Sequence, residues 1–203
     1  MWLGKTLIFL LGPLVRALMR VELRGKENIP LTKGEPPLVL CCNHLSMWDP
    51  VLLVVSFPRP IHFMAKAELF KCKPLGWLIG KQFGAFPVHR GKGDTGALDY
   101  GKQLVNDGKI MGIFPEGTRS KDGRPGRAKS GAAFIVAGAG AHVLPVAVVP
   151  SGKKPRLFRK TVIAVGKPLS PEELHLAGGE RPDIRYGSRA IMGAITQLME
   201  DVR

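Results

Sequence analysis

Leu38-Val-Leu-Cys-Cys42-Asn43-His44-Leu-Ser-Met-Trp-Asp49-Pro50-Val-Leu-Leu-Val-Val55 joins an apolar run, a polar turn and a second apolar run. Leu38 to Cys42 reads as a buried strand, short and without a polar side chain. It leads straight into Asn43-His44, which puts the histidine at a strand end. Asp49-Pro50 is a helix-start signal, with Asp at N-cap and Pro at the first helical position, ahead of Val51 to Val55. Strand, turn and helix in this order are the repeating unit of an α/β sheet.

Outward from this unit the alternation continues. Arg24 to Pro37 is a polar connector. Further strands are expected at Ile61 to Ala65, Phe83 to His89, Ile110 to Phe114, Val143 to Val149 and Thr161 to Val165. Helices are expected at Leu75 to Gly80, at Asp94 to Val105 with Gly108 as terminator, and at Ser130 to Ala137. Ser188 to Val202 places Ile191, Ile195, Leu198, Met199 and Val202 on one face, an amphipathic helix that ends the chain. The fold class is therefore α/β, with a mixed, largely parallel sheet flanked by helices. There are no internal repeats.

The chain has 203 residues, room for one core and not for two independent ones. Its 30 Lys and Arg against 16 Asp and Glu leave a net charge of +14. Such a surface attracts polyanions: nucleic acid, anionic headgroups or phosphorylated substrates. Cys41 and Cys42 point to opposite faces of a strand as small buried hydrophobes, and with Cys72 they call for no disulfide. The histidines have no ligand spacing, so no metal is expected.

Trp2 to Met19 is mostly apolar but carries Lys5 and Arg16, with Gly12-Pro13 in the middle. Its longest stretch without polar side chains falls well short of the ~20 residues that span a bilayer. Val15-Arg-Ala-Leu-Met-Arg20 is a poor signal-peptidase site. The segment reads as an interfacial helix kinked at Pro13, and the alternative is a helix packed on the protein's own core. Residues 1–20 are thus expected to be an interfacial helix and 21–203 the folded domain.

In an α/β sheet, ligand chemistry gathers at the carboxyl ends of strands. His44, Arg90 and Glu116-Gly117-Thr118-Arg119 all follow expected strands. His44 can take a proton from a hydroxyl, and Asp49, folded back, can accept the other ring N–H. The pair lacks a protein nucleophile to activate, so the substrate has to bring its own. Arg90 and Arg119 offer forked donors for a phosphate, and Gly117 lets the backbone approach an anion. Each residue also has a plainer reading. Read alone, Asp49 is a helix cap, Glu116 a cap or partner of Arg119, and Arg90 a loop charge beside Gly91-Lys92-Gly93. Lys153-Lys-Pro-Arg-Leu-Phe-Arg-Lys160 is a solvated loop or, less simply, a membrane-facing patch. His62, His89 and His142 read as structural.

Taken together, Asn43-His44-x4-Asp49, Gly84-Ala-Phe-Pro-Val-His-Arg90, Phe114-Pro-Glu-Gly-Thr-Arg-Ser120 and Val143-Leu-Pro-Val146 resemble the four ordered blocks of the glycerolipid acyltransferases. The bacterial 1-acyl-glycerol-3-phosphate acyltransferases are most similar. The resemblance runs from about Val21 to Lys167 and includes Met64-Ala-Lys-Ala-Glu-Leu-Phe70. It implies the glycerolipid acyltransferase fold and transfer of an acyl chain from a thioester to the sn-2 hydroxyl of 1-acyl-glycerol-3-phosphate, giving phosphatidate. It also implies His44 as general base with Asp49 as its partner. Arg90, Glu116, Gly117, Thr118 and Arg119 fall in the acceptor-binding blocks, and Lys129 in a Lys-x-Gly that follows the third. The block around Pro145 is associated with the acyl donor or catalysis. One departure is that Pro87 and His89 occupy places before Arg90 that the family often fills otherwise, and Pro in a strand implies an edge or a bulge.

These residues carry the expectation of an enzyme with no cofactor, using acyl-CoA or acyl-ACP as co-substrate. It would be held peripherally or monotopically on the cytoplasmic face of the cell membrane by its N-terminal helix. The expected partners are a membrane lipid substrate, an anionic membrane surface and, if the donor is acyl-ACP, the carrier protein. The same-class alternative is another acceptor, glycerol 3-phosphate or a different lysophospholipid. The different-class alternative is a non-catalytic basic module for membrane or nucleic acid. Nucleic acid is disfavoured because only two tyrosines are available and the arginines follow strand ends instead of interleaving with aromatics along a strand face.

Overall fold

A computed structural model describes residues 2–30, 36–88, 95–177 and 181–202. Its strands are β1 (Val21–Arg24), β2 (Leu38–Cys42), β3 (Ile61–Lys66), β4 (Phe86–Val88), β5 (Ile110–Ile113), β6 (His142–Pro150) and β7 (Thr161–Val165). The helices are α1 (Trp2–Leu18), α2 (Trp48–Ser56), α3 (Lys73–Trp77), α4 (Thr95–Asn106), α5 (Gly131–Ala139) and α6 (Ile184–Val202). The strands form one sheet in the order β1-β7-β6-β2-β5-β3-β4. Neighbours pair in parallel except β6 with β7, so the β7–β1 pair runs against the other five.

The apolar run of β2, Leu38–Cys42, lies near the middle of this sheet, and its period of two sorts the core. Val39 and Cys41 pack with Met111, Val143 and the buried faces of α4, α5 and α6. Leu38, Leu40 and Cys42 point the other way, onto Leu52 and Leu53 of α2 and onto Met19. Helices thus cover both faces, as a parallel sheet requires. Burial pushes both the Cys41 and Cys42 thiols above their ordinary value, consistent with packing roles.

Several expected boundaries shift for identifiable reasons. Val21-Glu-Leu-Arg24 was not anticipated as a strand, yet it pairs in register with Thr161 to Ala164. Gly25 ends it at φ 71, where a Cβ would lie 2.0 Å from the Val165 carbonyl oxygen. Helix α6 starts before Ser188 because the Asp183 carboxylate accepts the Tyr186 N–H at 2.8 Å, an N-terminal cap. The expected strand at 83–89 begins only at Phe86 and runs to Val88, and His89 lies outside the described residues. It is the sheet's edge strand, which accommodates Pro87. The helix expected at 75–80 begins at Lys73 and continues as a π-turn over Leu78–Gln82.

Helix α1 does two things at once. Gly4 and Gly12 are buried, Gly12 against Val55 of α2, and Met19 just beyond the helix is wholly enclosed. The other face turns outward with Phe9, 79 % exposed, and with Leu10, Leu11 and Leu14. No helix among the described residues is long and apolar enough to cross a membrane.

Candidate active site

Two turns at the carboxyl ends of adjacent strands build the site. The first follows β2. The His44 imidazole Nδ1 lies 2.9 Å from Asp49 Oδ2, and the same oxygen accepts the N–H groups of Leu45 and Ser46, both at 2.6 Å. The Ser46 hydroxyl donates to Asp49 Oδ1 at 3.1 Å. A carboxylate so supplied is an acceptor only, which fixes Nδ1 as the protonated ring nitrogen and leaves the lone pair on Nε2. Asp49 is completely buried, and His44 keeps 8 % exposure.

Asp49 is not the N-cap of α2. The helix begins at Trp48, and Asp49 sits in its first turn with the carboxylate reaching backward. Asn43 secures the turn from the other side: its amide accepts from Val148 N–H at 2.8 Å and donates to the Val148 carbonyl at 3.0 Å. This pairing with the backbone of β6 is a function the sequence did not reveal.

The second turn follows β5 and locks onto the first. Ser120 N–H donates to the His44 carbonyl at 2.8 Å, and Phe114 stacks on the imidazole with ring centroids 4.1 Å apart. Glu116, expected among the acceptor-binding residues, is buried. One carboxylate oxygen accepts the His44 N–H at 2.9 Å and the other the Gly126 N–H at 2.9 Å. It acts on the site through the backbone that carries His44.

The remaining turn residues face outward. Gly117 has φ 67, a left-handed conformation suited to glycine. A Cβ there would lie 2.9 Å from Lys129 Cδ and 3.0 Å from its Nζ, so the lysine chain lies across the glycine. Lys129 N–H donates to the Pro115 carbonyl at 2.8 Å, which fixes where that side chain begins. Thr118 and Arg119 are exposed, and neither forms a hydrogen bond or ion pair among the described residues. Two cations beside a glycine turn, next to a base with an open nitrogen, suit a ligand that carries both an anion and a hydroxyl. Arg90 lies outside the described residues. Pro145 of the fourth block sits in β6 beside Cys41 of β2, where its carbonyl accepts the Gly166 N–H. Among the described residues no three His, Cys, Asp or Glu side chains are arranged to hold a metal ion.

A family model described as Acyltransferase matches residues 20–149. The chain is 34% identical over 165 residues to the 1-acyl-sn-glycerol-3-phosphate acyltransferase of Bacillus subtilis (strain 168), covering 79% of this chain and 80% of that one. It is 33% identical over 136 residues to the chloroplastic 1-acyl-sn-glycerol-3-phosphate acyltransferase BAT2 of Brassica napus, covering 66% of this chain and 38% of that one. Among solved structures, the 1-acyl-sn-glycerophosphate (LPA) acyltransferase PlsC from Thermotoga maritima superposes with a TM-score of 0.69. At 24% identity, over 96% of this chain and 80% of that one, it has the same fold.

Proposed function

This chain belongs to the acyltransferase family, and from that premise we propose that it acylates the sn-2 hydroxyl of 1-acyl-glycerol-3-phosphate to give phosphatidate. The observation that carries the reading is the His44–Asp49 pair, hydrogen-bonded through Glu116 and Ser120 to the turn that presents Arg119 and Lys129. The acceptor's phosphate rests on Arg119, Lys129 and the Gly117–Thr118 backbone. Its hydroxyl is then the nucleophile that the protein lacks.

The chemistry balances without a covalent enzyme intermediate. His44 Nε2 takes the hydroxyl proton as the oxygen attacks the thioester carbonyl carbon. Asp49 holds the Nδ1–H and stabilises the imidazolium so formed. The tetrahedral intermediate collapses with loss of the thiolate, which takes the proton back from His44. Products are the ester and a free thiol, and the donor is the acyl thioester of coenzyme A or of an acyl carrier protein. No cofactor enters beyond this co-substrate.

The substrate is a membrane lipid, and we place the enzyme at the cytoplasmic face of the cell membrane. The outward face of α1 supports this, because four large apolar side chains are left in water otherwise. Met47 and Trp48, between His44 and Asp49, are exposed as well and give the catalytic turn an apolar surface of its own. A panel of acceptors tests the reading: purified protein, one labelled acyl donor, and 1-acyl-glycerol-3-phosphate, glycerol 3-phosphate and lysophosphatidylcholine in parallel. Preference for the first is expected. Preference for either other acceptor moves the reading to that compound, and transfer to none refutes it.

A further inference from the structure

Between β6 and β7 the chain makes an excursion, Ser151-Gly-Lys-Lys-Pro-Arg-Leu-Phe-Arg-Lys160, whose apolar tip faces the wrong way for a solvated loop. Leu157 and Phe158 are exposed, Phe158 by 69 %. Phe158 also holds φ 62, a region that bulky side chains rarely enter and that glycine or asparagine would fill without strain.

The loop is nonetheless built. Its ends are closed by Ser151 N–H on the Lys160 carbonyl at 2.9 Å, Pro155 is buried, and Arg159 N–H donates to the Arg156 carbonyl at 3.2 Å. Phe158 N–H donates to the Leu18 carbonyl at 2.6 Å, which ties the tip to the end of α1. A strained backbone therefore holds an aromatic ring out in solvent, and such strain persists where function maintains it.

Charge says what the tip meets. Lys153, Lys154, Arg156 and Arg159 flank it along the loop, all exposed, and none of them forms an ion pair among the described residues. Only Lys160 is engaged, with Glu22 at 2.6 Å. Exposed Arg16 and Arg20, at the end of α1, add to the same surface. An apolar tip in a basic loop, tied to the end of a helix with an outward apolar face, fits an anionic bilayer: the cations meet headgroups and the tip enters the acyl boundary.

We infer that Leu157 and Phe158, in a loop that also carries the exposed Lys153, Lys154, Arg156 and Arg159, form a second bilayer contact selective for anionic lipid. This rests on the reading above, that the enzyme works at a membrane. One helix lying in the interface leaves the domain free to pivot about it, and a second contact beside its end removes that freedom.

An environment-sensitive fluorophore on Leu157→Cys, in a Cys72→Ser background because Cys72 is the exposed cysteine, reads the contact directly. Vesicles of phosphatidylcholine with and without phosphatidylglycerol supply the surface, and sedimentation measures total binding. Expected are a blue shift with phosphatidylglycerol vesicles and quenching by a lipid-borne quencher. Phe158→Gly should then bind these vesicles about tenfold more weakly, the loss of one large apolar side chain from the interface. Its thermal midpoint should stay the same or rise, because glycine relieves the backbone. A label that remains in water while the protein sediments with vesicles overturns the loop contact and leaves the α1 reading standing. A lowered midpoint in Phe158→Gly also overturns it, because Phe158 then serves packing. Failure of the unmodified protein to sediment with either vesicle refutes the membrane reading itself, and this inference with it.

Discussion

Asp49 receives four hydrogen bonds inside one tight turn, so its charge and its shape are separable by substitution. Asp49→Asn keeps an oxygen for the Leu45, Ser46 and His44 donors and loses the charge that stabilises the imidazolium. Turnover should fall on the order of a hundred- to ten-thousand-fold while the thermal midpoint changes little. Glu116→Gln works differently. An amide has one oxygen for the buried His44 N–H and the exposed Gly126 N–H, so a donor is left facing a donor, at a cost of about 1 kcal/mol in urea unfolding. His44 then sits on a loosened backbone, and kcat should drop with it. Arg119→Ala should chiefly raise the Michaelis constant for the acceptor, and an unchanged constant would remove Arg119 from the phosphate site. The separation of these roles was only half legible in the sequence. His44 and Asp49 are five residues apart, and their chemistry names them. Glu116 is read as a ligand group from its neighbours, because its partner is a backbone N–H 72 positions away and no side-chain pattern records that.

At the scale of elements, the central strands were legible because each is an apolar run bounded by turn residues, and β7 falls where its residues predict. Strand β1 was not, because Val21-Glu-Leu-Arg24 alternates over too few residues to stand out and becomes a strand only by pairing with β7. The extra turn of α6 was missed for a local reason, the Asp183 cap. Helix α1 was ambiguous between core and interface, and the two readings prove compatible: glycines take the inner face and Phe9, Leu10, Leu11 and Leu14 the outer. This also selects the better experiment. Removing residues 1–20 would take Met19 out of the core, whereas Phe9→Ser with Leu10→Ser and Leu14→Ser alters exposed positions only. The triple variant should keep its thermal midpoint and move from the membrane to the soluble fraction. If it stays membrane-bound, α1 is not the main anchor.

For the whole molecule, the proposed function gives a net charge of +14 and an outward apolar face one purpose, to bring the domain to an anionic surface where its acceptor would reside. The electrostatic part is screened over about 8 Å at physiological ionic strength, so sedimentation with anionic vesicles should weaken steadily as salt is added. On the proposed reading the site then has to do little beyond deprotonating a lipid's own hydroxyl. Acyl transfer by His44→Ala tests that claim most directly, assayed with 1-acyl-glycerol-3-phosphate in vesicles and accompanied by a thermal midpoint and a vesicle-binding measurement. The expected result is loss of transfer with folding and membrane binding retained. Turnover close to that of the unaltered protein would contradict His44 as the base.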